Sequence, residues 1–370
     1  MVKTRLLAAE LVPADTGAMQ FGLNFFPCLA PEQKPASQYF AEAMHLIGLA
    51  DELGYTHIRQ VEHYFHYYGG YSPNPIVFLA SAAQRTRRAR LATGAVLPAF
   101  NNPLKLAGEL GMLDGLSGGR LDAGFARAFL PHEFEHFGVS LDDSRRRFTE
   151  GLAQVKLLLE GENVSSDGEF HQFRNVTSLP RPTQKPHPPI WVAATSTPQS
   201  FEETGRAGYS LMTIPLEPKR MRELIGIYRD AWRSAGHPGR GTVMSNFIMC
   251  CLPSRAEAHE KAREPTNGHL RGLAAAAIGW AKGASTKDYP GYDRMIAQIG
   301  KETFEDQLAK GIGLVGTAPE VIDMVRAYHA DVGGFESASL HVVPSTMPVD
   351  VAERAMRHFA AEAMPKLASL

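Results

Sequence analysis

The residues with the chemistry to act on a small molecule fall in a few short runs. VEHYFHYYGGYSPNP (61–75) sets Glu62 beside His63 in an aromatic-rich loop, a carboxylate next to an imidazole that changes charge near neutral pH. LPAFNNP (97–103) offers the amides of Asn101 and Asn102, able to donate hydrogen bonds to a polar ring or to oxygen, and GRLDAGFARA (119–128) ends next to Arg127. AATSTPQS (193–200) gathers Thr195, Ser196, Thr197 and Ser200 directly before a predicted helix, where hydroxyls and free backbone N–H groups together suit an anion such as a phosphate. The same cluster also fits a plain helix N-cap. Arg127 and the run Arg145, Arg146, Arg147 hold the positive charge that a phosphate would need, although arginines in a helical run are usually solvated. His63 alone has a structural reading too, as a satisfied interior imidazole. Glu62, His63 and His66 lack the spacing of a helical HExxH metal site, and no metal is expected.

Elements must bring these runs together, and their order says how. From Met19 onward, short β-type runs alternate with longer helical ones, the signature of βα units and a parallel sheet. Strands are predicted at 19–26, 55–63, 88–97, 119–128, 189–194, 209–214, 242–252 and 337–343, with helices between them at 37–54, 75–86, 103–119, 144–161, 200–208 and 218–236. Eight steps predict an α/β fold, a single (β/α)₈ TIM barrel, whose sites sit at the carboxyl ends of the strands. Every run above follows a predicted strand, so a barrel would make them converge. The connection 254–333 is far longer than the usual few residues, and 254–305 is read as an insertion at the mouth between strands seven and eight, a lid or a packing excursion. Residues 1–18 are expected to be a loosely packed extension, with the barrel occupying 19–370.

Composition excludes several classes. The 370 residues carry 38 Lys and Arg against 39 Asp and Glu, a net charge of −1, which gives no footprint for nucleic acid or an anionic membrane. With 44% hydrophobic and 21% charged residues the chain reads as an ordinary globular protein, and no apolar run approaches the length of a membrane span. Three cysteines, two of them adjacent, predict no disulfide framework and a cytoplasmic location. GxGxxG, GxxxxGK[ST] and GxSxG are all missing, which removes the usual warrants for a dinucleotide fold, a nucleotide triphosphate or a hydrolase triad. Phe25, Phe26, Tyr64, Phe65, Tyr67, Tyr68, Phe100 and Trp191 lie at or near strand ends, and a broad conjugated ring bearing a phosphate would use both that aromatic wall and the hydroxyl and arginine cluster.

Five segments carry a resemblance: LADELGYTHIRQVEHY (49–64), RARLATGAVLP (88–98), NPLKLAGELGMLDGLSGGRLDAGFARA (102–128), PRPTQKPHPPIWVAATS (180–196) and GLVGTAPEVIDMV (313–325). In this order the chain resembles the bacterial luciferase-like, flavin-dependent monooxygenases. The resemblance implies a barrel holding reduced FMN non-covalently, often as a homodimer fed by a separate flavin reductase. It also implies that O₂ oxidises a small to medium organic substrate through a flavin C4a-(hydro)peroxide, by hydroxylation or Baeyer–Villiger insertion. His63 falls on the family's active-site histidine. Arg127 falls where the flavin phosphate is held, with Arg146 the preferred arginine of its run, and Thr195, Ser196 and Ser200 match the phosphate loop. A non-prolyl cis peptide is expected near Thr93 and Gly94 beneath the ring, and Asn101 or Asn102 beside it. Two departures, Ala126 where luciferase carries a reactive-site cysteine and Thr195 where its phosphate loop begins with an acid, argue against light emission from a long-chain aldehyde. Two other readings keep the resemblance: a hydride-transfer oxidoreductase using the deazaflavin coenzyme, and a non-catalytic flavin-binding subunit.

Overall fold

The computed structural model describes residues 17–281, 289, 297–298 and 300–370. Eight parallel strands close into a barrel: β1 (Gln20–Phe25), β2 (His57–Gln60), β3 (Arg90–Thr93), β4 (Leu121–Ala126), β7 (Ile190–Ala193), β8 (Ser210–Thr213), β9 (Val243–Cys251) and β11 (Ser337–His341). β11 pairs with β1 from Gln20↔Ser337 to Leu23↔Leu340 and so closes the ring. All eight predicted strands are present. The helices α1 (Ala36–Leu53), α2 (Pro75–Ala83), α3 (Pro103–Ser117), α5 (Ser144–Glu160), α6 (Pro198–Arg206) and α7 (Pro218–Ser234) also fall where the apolar periodicity puts them.

Alternation along the strands sorts the side chains into two layers. Phe21, Leu23 and Phe25 on β1, Leu91 on β3 and Phe247 on β9 face outward and join the main core beneath the helices. The opposite set points into the barrel. There Ala92, Trp191, Met212 and Met244 form a separate apolar cluster across β3, β7, β8 and β9. On β1, β2 and β11 the inward set is polar instead: Asn24, His57, Arg59, Ser337, Ser339 and His341, all buried. This interior is unusual for a barrel, where branched apolar residues ordinarily fill the axis.

Three features escaped the sequence reading. β10 (Gly313–Gly316) lies outside the barrel and pairs only with the far end of β9, Ile248–Cys251. β9 is nine residues long because its first half completes the barrel against β8 and β11 while its second half holds β10. A short helix, α4 (Pro131–Phe137), follows β4, and an antiparallel hairpin of β5 (Val164–Asp167) and β6 (Gln172–Val176) follows α5. The long insertion begins with α8 (Arg255–Ala276), capped by the Ser254 side chain, and continues into α9 (Ile278–Ala281). Residues 282–288, 290–296 and 299 of the expected lid, and residues 1–16 of the expected extension, lie outside the described residues. Among the described residues no helix is long and apolar enough to cross a membrane.

Candidate active site

The strand ends open into a cleft of about 870 Å³, open mouth included. One wall, its floor, is made of small residues: Gly94 and Ala95 after β3, Ala126 at the end of β4, and Ala193 and Ala194 at β7. The peptide Gly94–Ala95 is cis, one residue beyond Thr93–Gly94. Thr93 itself faces the other way. Its hydroxyl bridges the backbone of Gly124 in both directions, donating to the carbonyl at 2.9 Å and accepting from the N–H at 2.7 Å, and so pins β3 to β4.

One end of the cleft is a buried polar cluster around His63. The imidazole is 8% exposed, and its Nδ1 lies 3.0 Å from Oε1 of Glu133, a fully buried carboxylate on α4 that also accepts from the Tyr64 N–H at 2.9 Å. With Nδ1 engaged by an acid, Nε2 is the ring nitrogen left to face a ligand. Phe26, leaving β1, stacks on the imidazole at 5.2 Å between centroids and 24° between planes, which fixes the ring's plane. Glu62 turns to a different set of partners: it accepts from the Tyr64 hydroxyl, from Asn101 Nδ2 at 3.0 Å and from the Leu97 N–H at 3.1 Å. Burial raises its carboxyl to about 7 against the pull of these donors, so its charge changes near neutrality. Asn101 therefore joins the site by holding Glu62. Asn102 does not: its side chain caps α3 by accepting from the Leu104 N–H, and a residue spent on a helix start is not available to a ring in the cleft.

The other end carries the features of an anion site. Arg127 lines the cleft with its guanidinium 4.0 Å from the centroid of the Tyr289 ring, while the Tyr289 hydroxyl donates to the Ala128 carbonyl. Thr195, Thr197 and Ser200 line the same end. Thr197 is the N-cap of α6, yet no side chain caps that helix, unlike α2, α3, α7 and α8; Pro198 has no N–H, and the Ser200 N–H turns back to the Thr197 carbonyl at 3.0 Å. Ser196 sits in the same turn but is not a wall of the cleft; its carbonyl accepts from Arg220 Nη2 at 3.2 Å.

Arg146 is a correction. It lies on the outer surface of α5, paired with Asp143 and Glu169, and its side chain is 53% exposed. Glu150, one turn further along α5, accepts from the N–H groups of Glu169, Phe170 and His171 in the hairpin turn. His66 Nδ1 accepts from the Tyr68 N–H at 3.1 Å, and among the described residues no three His, Cys, Asp or Glu side chains are grouped to hold an ion. Cys28, Cys250 and Cys251 are free and buried, with thiols pushed up to about 12 by burial, so none is a ready nucleophile.

Comparison with known proteins agrees with this geometry. Residues 19–333 match the model of the family described as luciferase-like monooxygenase. The chain belongs to that family. It is 30% identical over 322 residues, 84% of this chain and 86% of the relative, to the oxygenase component of the flavin-dependent trigonelline monooxygenase of Acinetobacter baylyi. It is 26% identical to 4-hydroxyprotoasukamycin monooxygenase of Streptomyces nodosus, covering 79% of this chain and 78% of that one. Among solved structures it superposes on monooxygenase RslO1 of Streptomyces bottropensis with a TM-score of 0.84 and 42% identity, over 95% of this chain and all of the other. This luciferase-like monooxygenase is thus an enzyme, and two of its site residues were not visible in the sequence. Glu133 sits 70 residues from His63 on a helix too short to show periodicity. Arg59, buried on the inward face of β2 and lining the cleft, left only a weak signal: a charge inside a predicted strand.

Proposed function

We propose that the chain is the oxygenase component of a two-component monooxygenase, using reduced FMN delivered by a separate flavin reductase to oxidise a small to medium organic substrate by hydroxylation or Baeyer–Villiger insertion. In the same reading it works as a cytoplasmic homodimer, and the segment 254–305 closes over the cleft. The observation that carries the reading is one cleft that joins a floor of small residues, an arginine and hydroxyl cluster, and a buried imidazole. A planar ring fits the floor, its phosphate fits Arg127 and the start of α6, and its reacting edge then lies toward His63. Bound there, reduced flavin supplies the electrons that activate dioxygen.

The chain's own groups have the remaining work. Arg127, Thr195, Thr197, Ser200 and the N–H groups of α6 would hold the phosphate, with Ser196 contributing through its backbone. His63 Nε2, its tautomer set by Glu133, would give or take one proton at the reacting edge. Phe26, Val61 and Phe129 would keep bulk water from that edge. A deazaflavin coenzyme is named for one fold neighbour, an F420-dependent secondary alcohol dehydrogenase 16% identical to this chain, but nothing in the cleft favours it.

Equilibrium titration with FMN and riboflavin tests the proposal. If the anion end holds the phosphate, reduced FMN binds roughly 10- to 100-fold tighter than reduced riboflavin, the size of one or two charge-assisted hydrogen bonds. Equal affinities would remove the phosphate site and the reading with it.

A further inference from the structure

The arginine beneath the cleft floor has no counter-charge among the described residues. Arg59 is 7% exposed, and its Nη2 donates to the Gly94 carbonyl at 2.9 Å, the carbonyl of the cis peptide. A Cβ added to Gly94 would come within 2.1 Å of Arg59 Nε, so the guanidinium packs directly against the floor and Gly94 is needed to let it approach. Nε is buried without a hydrogen-bond partner, and no carboxylate is paired with this arginine among the described residues.

Its surroundings do not neutralise it. Asn24, its register partner on β1, is buried with both amide atoms unpartnered. Ala92, its partner on β3, is apolar. His57 on its own strand is driven down to about 3 by burial and by Arg59 itself, and His341 on β11 is driven well below the ordinary imidazole value, so both stay uncharged. His269 of α8, in edge contact with His341 at 5.0 Å, is likewise lowered to about 4. The nearest acid in sequence, Glu62, is held by Tyr64, Asn101 and Leu97. Burial lowers the guanidinium only to about 10, which leaves it a full cation at neutral pH. An unpaired buried cation is costly, and such groups collect at functional sites.

We infer that Arg59 is the built-in counter-charge for the anionic ring of reduced flavin seated on the Gly94–Ala95 floor. This rests on the flavin reading above and adds a redox preference to it. The oxidised ring is neutral, whereas the two-electron reduced ring becomes an anion on losing its N1 proton, so a fixed cation beneath it binds the reduced state selectively. The site would then capture the form that a reductase releases and let go of the oxidised form.

Anaerobic titration of the full-length protein with oxidised and with photoreduced FMN decides the matter. In the wild type, bound reduced FMN should keep the absorbance of its anion at pH values where the free reduced nucleotide is neutral; a neutral spectrum overturns the inference without any variant. Arg59→Met should lower the preference for reduced over oxidised FMN at least tenfold, moving the midpoint potential of the bound couple down by about 30 mV per tenfold. Arg59→Lys, which keeps the charge, should recover most of it. An unchanged preference in Arg59→Met, with normal binding of oxidised FMN, assigns the arginine a purely structural place. Failure of the wild type to bind FMN in either state would instead bring down the flavin reading itself, a distinct result.

Discussion

The two ends of the cleft are built on opposite plans. The anion end is local: Thr195 and Thr197 come from the turn before α6 and Ser200 from its first turn, joined by a single arginine from the end of β4. The proton end is assembled from afar, with His63 from β2, Glu133 from α4, Phe26 from β1 and Asn101 from the loop after β3, and its acids are nearly or fully buried. A local site can tolerate imprecision, because hydroxyls and N–H groups surround a phosphate from many directions. A proton site cannot, since one nitrogen has to meet one atom, and burial plus a second-rank acid fixes that nitrogen in place. The first plan should govern binding and the second turnover.

That division is open to attack by two substitutions. His63→Ala should lower kcat by about 10²- to 10⁴-fold, the usual range for a lost general acid or base, while the FMN dissociation constant moves by less than about threefold. Arg127→Ala should do the reverse, weakening FMN about 10- to 100-fold and leaving kcat at saturating FMN close to wild type. Steady-state rates against FMN concentration, with any reductase supplying reduced flavin, read both parameters at once. If each variant damaged both parameters alike, the two ends would be one cooperative unit and the contrast would be wrong.

The same contrast explains what the sequence disclosed. All eight barrel strands were legible because each is a short apolar run followed by a helix of clear period, and a closed parallel sheet demands that alternation. β10 was not, because a four-residue strand with a glycine at each end has little pattern of its own and pairs only with an overhang of β9. The anion end was legible as a Ser/Thr cluster before a helix. Of the proton end, Glu62, His63, Asn101 and the aromatic Phe26 could be named but not Glu133, which joins His63 through the fold and through nothing in the local spacing. Arg146 failed for a related reason: spacing along α5 says which residues share a helix face, not whether that face meets the cleft or solvent.

A smaller effect separates the two acids of the proton end. Glu133 supports His63, whereas Glu62, with its carboxyl raised to about 7, should give the pH–rate profile a limb near that value. Glu62→Gln keeps the shape and loses the ionisation, so the limb near pH 7 should vanish while the plateau rate falls less than in His63→Ala. Stability carries the same sign test. A carboxyl whose folded value is raised binds its proton more tightly in the native state, so its contribution is complete below about 4.5 and is lost as pH rises through about 7. Wild-type Tm should therefore drop relative to that of Glu62→Gln between pH 5 and 8, and parallel curves would show that Glu62 does not titrate there.

The smallest expected effect is the most informative about the anion end. Arg146 has the charge that a phosphate wants and lies in the same arginine run as Arg145, whose guanidinium reaches Glu203 of α6 at 3.1 Å. It nevertheless points to solvent and spends its charge on Asp143 and Glu169, exposed pairs of a kind that contribute little. Arg146→Ala should leave FMN affinity within about twofold of wild type and the Tm nearly unmoved. The comparison with Arg127→Ala, measured side by side, then distinguishes a cation placed by the barrel at the cleft from one that is merely near it in the chain. A loss of FMN affinity in Arg146→Ala as large as in Arg127→Ala would mean that the phosphate end is set by the general positive field of α5 rather than by one directed contact, and the local plan would have to be abandoned.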